Sequence, residues 1–233
     1  MQKKQGFFLN SLVGLKLVMA LSGVMLLGFV IVHMLGNLQI FLGRDAFNAY
    51  AHFLKKNEGL LWGARLFLLA ALLIHVSTAL KLRQVNSSAR GSDYVCKNTV
   101  QASFASTTML ASGLLILVYI IYHLGHFTLG TFHPEVYSLS INRNNSGEHD
   151  VYYMTVRGFQ NGVVALGYVL AMGVLFCHLS HAIASFFQTL GLSCPRNSSF
   201  LKKLSVVVAG VVFIGFVSIP ISVQLGFLKL PLD

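Results

Sequence analysis

The chain has 233 residues, 55% of them hydrophobic and only 10% charged, with a mean hydropathy of +0.70. A soluble domain carries about 25% charged residues, so this composition excludes a soluble enzyme and a disordered chain. The formal net charge of +10 does not indicate nucleic acid. The basic residues stand singly at the ends of apolar runs rather than on one face.

Five apolar runs reach the roughly 20 residues needed to cross a bilayer. They cover about 12–42, 60–82, 104–129, 160–187 and 204–228. Each is predicted to be a helix, because lipid offers no partners for backbone N–H and C=O groups. The first run follows Lys3 and Lys4 but is too long for a signal-peptide core and has no small-residue cleavage site. Only the fifth contains an interior proline, Pro220. Between the first two runs lies DAFNAYAHFL (Asp45–Leu54), and between the third and fourth the longest external stretch, Thr131–Gln160, polar and containing Pro134. With the N-terminus inside, the inner segments hold Lys3, Lys4, Lys16, Lys81, Arg83, Arg90, Lys97, Arg196, Lys202 and Lys203. The outer ones hold the smaller set Arg44, Lys55, Lys56, Arg65, Arg143, Arg157 and Lys229. That bias predicts N-in, C-out. Cys96, Cys177 and Cys194 have no CxxC spacing, which argues against a disulfide framework or structural zinc. The chain reads as a single transmembrane domain over 1–233, an all-α five-helix bundle.

Histidines carry the chemistry. His33 lies in the first helix, His75 in the second, His123 and His126 in the third, and His178 and His181 in the fourth; the fifth has none. Polar groups within a bilayer are costly and by default face the bundle interior. From the predicted topology and the helix rise, His33 and His123 fall in the outer half and His75 and His178 in the inner half. Two layers of two neutral imidazoles inside a four-helix bundle suit two six-coordinate b-type haems. Scattered glycines and alanines would make room for a flat macrocycle, or serve ordinary membrane helix packing. No Asp or Glu falls inside the five runs, which speaks against an ion-coupled transporter. HLGH (His123–His126) and HLSH (His178–His181) superficially resemble di-iron histidine boxes, but His33 and His75 stand alone. HExxH is absent.

KLVMALSGVMLLGFVIVHMLGNLQIF (Lys16–Phe41), DAFNAYAHFL, ALLIHVSTAL (Ala71–Leu80) and HLSHAIASFFQTLGL (His178–Leu192) together resemble a known family. It is the cytochrome b558-type membrane anchor of bacterial succinate dehydrogenases and fumarate reductases, the respiratory complex II. Gly113 stands ten residues before His123, a spacing found in that family. The resemblance covers nearly the whole chain and is weakest over 131–160.

The resemblance implies two haem b groups, His33 and His123 ligating the distal one and His75 and His178 the proximal one, with His126 and His181 as weaker alternatives. It implies a flavoprotein subunit and an iron–sulfur subunit docked on the cytoplasmic side of a bacterial inner membrane. Electrons would pass between succinate or fumarate and a quinone, menaquinone in preference to ubiquinone. The dicarboxylate chemistry then belongs to the partner chains, since this one has no GxGxxG and no clustered cysteines. The basic inner loops would set topology and offer a docking face. Lys16, Ser22, Arg65 and Arg83 are candidate haem-propionate contacts, and Glu58 is a quinone-site candidate. Where some relatives carry a carboxylate before the fourth-helix ligand, this chain has Phe176 and Cys177. The rival readings are a di-haem subunit of the nitrate reductase or formate dehydrogenase type, and a transporter or structural membrane protein whose histidines only hydrogen-bond.

Overall fold

The computed structural model describes residues 11–89, 104–142 and 149–230. Lys3, Lys4, Arg90, Lys97 and Arg143 therefore lie outside the described residues. Every regular element described is helical: α1 Leu12–Leu38, α2 Arg44–Lys56, α3 Glu58–Ser88, α4 Phe104–Thr107, α5 Met109–His123, α6 Pro134–Asn142, α7 Val151–Gln160, α8 Gly162–Thr189 and α9 Ser198–Gln224. A tight 3-10 turn, Gln39–Leu42, extends α1, and a wide π turn, Leu124–Thr128, extends α5. Five of these segments are long and apolar enough to cross a membrane, which fits a multi-pass membrane protein.

The helix ends follow local chemistry. Ser11 caps α1 by accepting from the Gly14 N–H at 3.0 Å. Asn161 caps α8 by accepting from Val163 and Val164. Such side chains satisfy amide donors that a helix start leaves orphaned. Several expected boundaries shift. The second span runs on to Ser88 rather than stopping near Leu82, because a helix continues past the apolar run wherever its residues tolerate it. The third is interrupted at Thr108, so α4 is separate from α5. The fourth begins at Gly162, with 151–160 forming the distinct α7. The fifth starts six residues early, at Ser198.

α8 and α9 pack along their length, α1 packs on α3 and on α9, and α5 packs on α8. Where α1, α8 and α9 meet, Met34, Leu179, Ile183, Ala209 and Val212 form a buried cluster. Small residues let these backbones approach, as membrane helices require; Met34 occupies the space beside Gly215. Many large apolar side chains on the spans point outward, among them Val32, Leu66, Leu73, Val118 and Ile214. Such an outer surface marks contact with a membrane or with another protein.

The segments between spans are not loose. Helix α7 packs against α2 and α6 and against the ends of α8 and α9, covering one end of the bundle, here the capped end. The stretch 131–160, expected as a polar loop, contributes α6 and α7 and much of a second buried cluster. Tyr152, Val156 and Phe159 of α7 join Ile40, Phe47, Tyr168 and Ile219 there. The polarity of the stretch as a whole hides α7, which is buried from Tyr152 to Val156 and again at Gly158 and Phe159.

Candidate functional site

α1 and α5 run toward the capped end, while α3 and α8 begin there and run away from it. His33 and His123 therefore sit near the cap, and His75 and His178 lie nearer the opposite end, 17 and 16 residues into α3 and α8. The four rings fall at two levels along the bundle.

In the capped layer the His33 and His123 rings face each other across the bundle, centroids 5.8 Å apart and nearly perpendicular. Phe29 stacks on His33 at 5.2 Å, and Tyr119 on His123 at 5.8 Å. The Tyr168 hydroxyl lies 3.4 Å from His123 Nδ1. Asn37 places its amide nitrogen 3.3 Å from His33 Nε2 but already donates to the His33 carbonyl at 2.7 Å. The contact with the ring is thus the weaker of the two.

The opposite layer is built differently, and by a repeated device. Ser22 Oγ lies 3.2 Å from His75 Nδ1, and Ser112 Oγ lies 3.0 Å from His178 Nδ1. Each serine is followed by a glycine against which the same imidazole packs. A Cβ on Gly23 would meet His75 Cε1 at 3.3 Å, and one on Gly113 would meet His178 Cε1 at 3.4 Å. Ser22-Gly23 precedes His33, and Ser112-Gly113 precedes His123, at identical spacing. Eleven residues make about three helical turns, so serine and histidine share a face on each helix. The sequence contains this Ser-Gly-x9-His repeat, but its meaning depends on cross-helix partners that spacing alone does not reveal. Ser112 was not anticipated for that reason.

The other expected residues are placed as follows. Ser22, expected at a propionate, is buried and engaged with His75 and the Val18 and Met19 carbonyls. Lys16 and Arg83 are exposed toward the opposite end. Arg65 is exposed over the Trp62 ring at 5.0 Å. Glu58 is exposed in the first turn of α3, at the capped end. His126 is only 2% exposed, and its Nδ1 lies 3.0 Å from the Tyr168 hydroxyl. Its ring packs against Gly158, so it belongs to the seam between α5 and the cap. The wide turn after His123 separates the two imidazoles. His181 Nε2 lies 3.1 Å from Ser185 Oγ, one turn along α8.

A polar knot closes the cap. Asp150 is fully buried and caps α7 by accepting from the Tyr153 N–H at 3.0 Å. It also accepts from Asn48 Nδ2 at 2.9 Å and pairs with Arg44 at 2.6 Å. Asn48 in turn accepts from the Tyr152 N–H. Burial by itself would raise the Asp150 carboxyl, but the Tyr153 N–H, the Asn48 amide and the Arg44 guanidinium outweigh it and hold it below the usual carboxylate range. Nearby, burial, then Lys55 and His52, hold the His149 imidazole below its ordinary value.

The donor sets suit a metal held by two imidazoles. The His33 and His123 rings, 5.8 Å apart between centres, are close enough for one ion to take a nitrogen from each. In the opposite layer each Nδ1 is engaged by a serine, which leaves Nε2 to ligate and fixes ring orientation, as outer partners of ligating histidines do. Among the described residues no group of three or more His, Cys, Asp or Glu converges as a metal site. No protein-family model matches the chain, and neither a search of curated proteins nor one of solved structures finds a similar one.

Proposed function

We propose that the chain is a di-haem cytochrome b anchor of a succinate:quinone oxidoreductase, working in either direction between succinate and membrane quinone. The observation that carries the haem assignment is the arrangement of His33, His75, His123 and His178 in two layers, one from each of four spans, with the capped pair 5.8 Å apart. The complex II assignment rests on the sequence resemblance.

In this reading His33 and His123 hold one iron, and His75 and His178 hold the other. A bound haem supplies an iron that takes up and releases one electron at a time. The protein's own residues set the environment. Ser22 and Ser112 fix the orientation of His75 and His178, and Gly23 and Gly113 leave those rings their space. Phe29 and Tyr119 pack the capped pair with aromatic surface that excludes water. Lys16, Arg65 and Arg83 stand at the two ends of the spans, where a carboxylate at the interface finds a cationic partner. The exposed basic residues of the end opposite the cap, Lys81, Arg83, Arg196, Lys202 and Lys203, offer a face to the soluble flavoprotein and iron–sulfur subunits.

The test is a dithionite-reduced minus oxidised spectrum of the purified complex with a pyridine haemochrome count. Two b haems per chain are expected, one lost on His33→Ala or His123→Ala and the other on His75→Ala or His178→Ala. A haem-free chain would overturn the assignment. Co-purification with succinate-oxidising subunits separates complex II from a nitrate reductase or formate dehydrogenase partner.

A further inference from the structure

Three of the four layered histidines, His75, His178 and His123, face a hydroxyl oxygen at Nδ1. A hydroxyl has one hydrogen to give and lone pairs to accept with. Ser22 Oγ donates to the Val18 carbonyl at 2.8 Å, so toward His75 Nδ1, 3.2 Å away, it accepts. Ser112 Oγ donates to the Met109 carbonyl at 3.0 Å and likewise accepts from His178 Nδ1. The third hydroxyl, that of Tyr168, lies between two imidazoles. It is 3.4 Å from His123 Nδ1 and 3.0 Å from His126 Nδ1.

Donor counting gives this chain of three groups a direction once His123 binds a metal. A neutral imidazole carries a single ring hydrogen. If Nε2 ligates, the hydrogen of His123 is on Nδ1 and goes to the Tyr168 oxygen. The phenol then gives its own hydrogen to His126 Nδ1. The reverse order would put the His123 hydrogen on Nε2, the atom that ligates. His126 thus does at the cap what the Val18 and Met109 carbonyls do in the other layer. It takes the hydroxyl's hydrogen and, by polarising the O–H bond, makes the oxygen a better acceptor.

The surroundings hold this pair in place. Tyr168 is 6% exposed and His126 2%. Phe159 of α7 stands edge-on to the Tyr168 ring at 4.9 Å, and Phe127 stacks on His126 at 3.9 Å. His126 Nε2 packs against Gly158 and has no hydrogen-bond partner among the described residues. A buried ring nitrogen left unmet costs free energy, and the work of the other nitrogen accounts for keeping it there.

We propose that Tyr168, its hydroxyl oriented by His126, is the positioning residue of His123, fixing the ring and raising its basicity toward a bound metal. The proposal rests on the di-haem reading. It gives His126 a role other than ligation. It also gives α7 a part in the capped layer, since Gly158 and Phe159 hold the pair.

The experiment is a redox titration, with low-spin ferric EPR, of the purified complex. A more basic imidazole favours oxidised iron, so losing the acceptor weakens the oxidised state more than the reduced one. Tyr168→Phe keeps the ring and removes the hydroxyl. It should raise one midpoint potential by about 59 mV, the equivalent of about tenfold in the ratio of the two affinities. The other haem should stay where it is, and the haem that moves should be the one missing from His123→Ala. His126→Leu retains Tyr168 and should move the same haem the same way. His126→Asn returns an acceptor oxygen near the place of Nδ1 and should restore it. The double variant Tyr168→Phe/His126→Leu should move it no further than Tyr168→Phe alone, because both act through one oxygen. Tyr122→Phe, whose lost hydroxyl meets His133 at 3.4 Å instead, should move neither. The two His126 variants decide the matter should Tyr168→Phe fail to assemble. Unmoved potentials, equal shifts of both haems, or additive shifts in the double variant would overturn the positioning role and leave the two haems standing. A wild-type complex without haem would overturn the di-haem reading itself, and the proposal with it.

Discussion

Replacing Asp150 by alanine tests whether the polar knot holds the cap. The substitution removes the side chain that caps α7, a loss of about 1 kcal/mol. It also strips the buried Asn48 amide of its acceptor, which costs a further 1–3 kcal/mol or so. Arg44 keeps partial access to water, with a third of its side chain exposed, so its lost partner adds little. The sum is about 2–4 kcal/mol, or about 30- to 700-fold in a local opening equilibrium at 1.4 kcal/mol per tenfold. Amide hydrogen exchange over Tyr152–Phe159 reads that opening directly. Asp150→Asn keeps an oxygen for the Tyr153 N–H and should cost less than Asp150→Ala. The pH dependence has a definite sign. The folded-state carboxyl lies below its unfolded value of about 3.9, so its contribution is complete above that pH. It is lost as pH falls through the lower folded value, when protonation removes the charge that pairs with Arg44. Unchanged α7 exchange in Asp150→Ala would refute the reasoning and move the cap's stability to its apolar cluster.

In the proposed di-haem reading, Ser112→Ala removes the hydroxyl beside His178 Nδ1 and should weaken haem retention in that layer by about 10- to 100-fold, visible as loss of one haem on gel filtration; equal retention of both would argue against the orienting role. Gly113→Leu must push the His178 ring aside, whereas Gly28→Leu meets nothing, so a haemochrome count should fall only in the first. Gly130→Ala combines a left-handed backbone, φ +67°, with a Cβ that would enter the Tyr137 ring. It should cost about 1–3 kcal/mol, measured as earlier thermal inactivation, and a wild-type curve would show that this turn relaxes freely.

The spans were legible because bilayer thickness imposes a length on apolar runs that composition alone exposes. The histidine layers followed from helix rise and chain direction, both properties of one helix at a time. The cap was not legible. α7 is ten residues long and carries Arg157, and part of its burial comes from α2 and α9, partners far away in sequence. The roles of Ser22 and Ser112 failed to show for a related reason: a serine in a membrane helix most simply bonds its own backbone, as Ser22 also does to Val18. Only the neighbouring helix shows that the same hydroxyl reaches a histidine 53 residues away.

The doubled Ser-Gly-x9-His motif acts as a ruler. One rigid helix, α1, supplies a histidine to one layer and the buttress for the other layer's histidine, and α5 does the same. The separation between layers is thus graduated along the helix, about 16 Å for eleven residues, rather than measured across the bilayer. A thicker or thinner membrane changes the tilt of the spans but not the marks on the ruler. Any redox pair mounted on it would keep its spacing, and so its transfer rate, in membranes of different lipid composition.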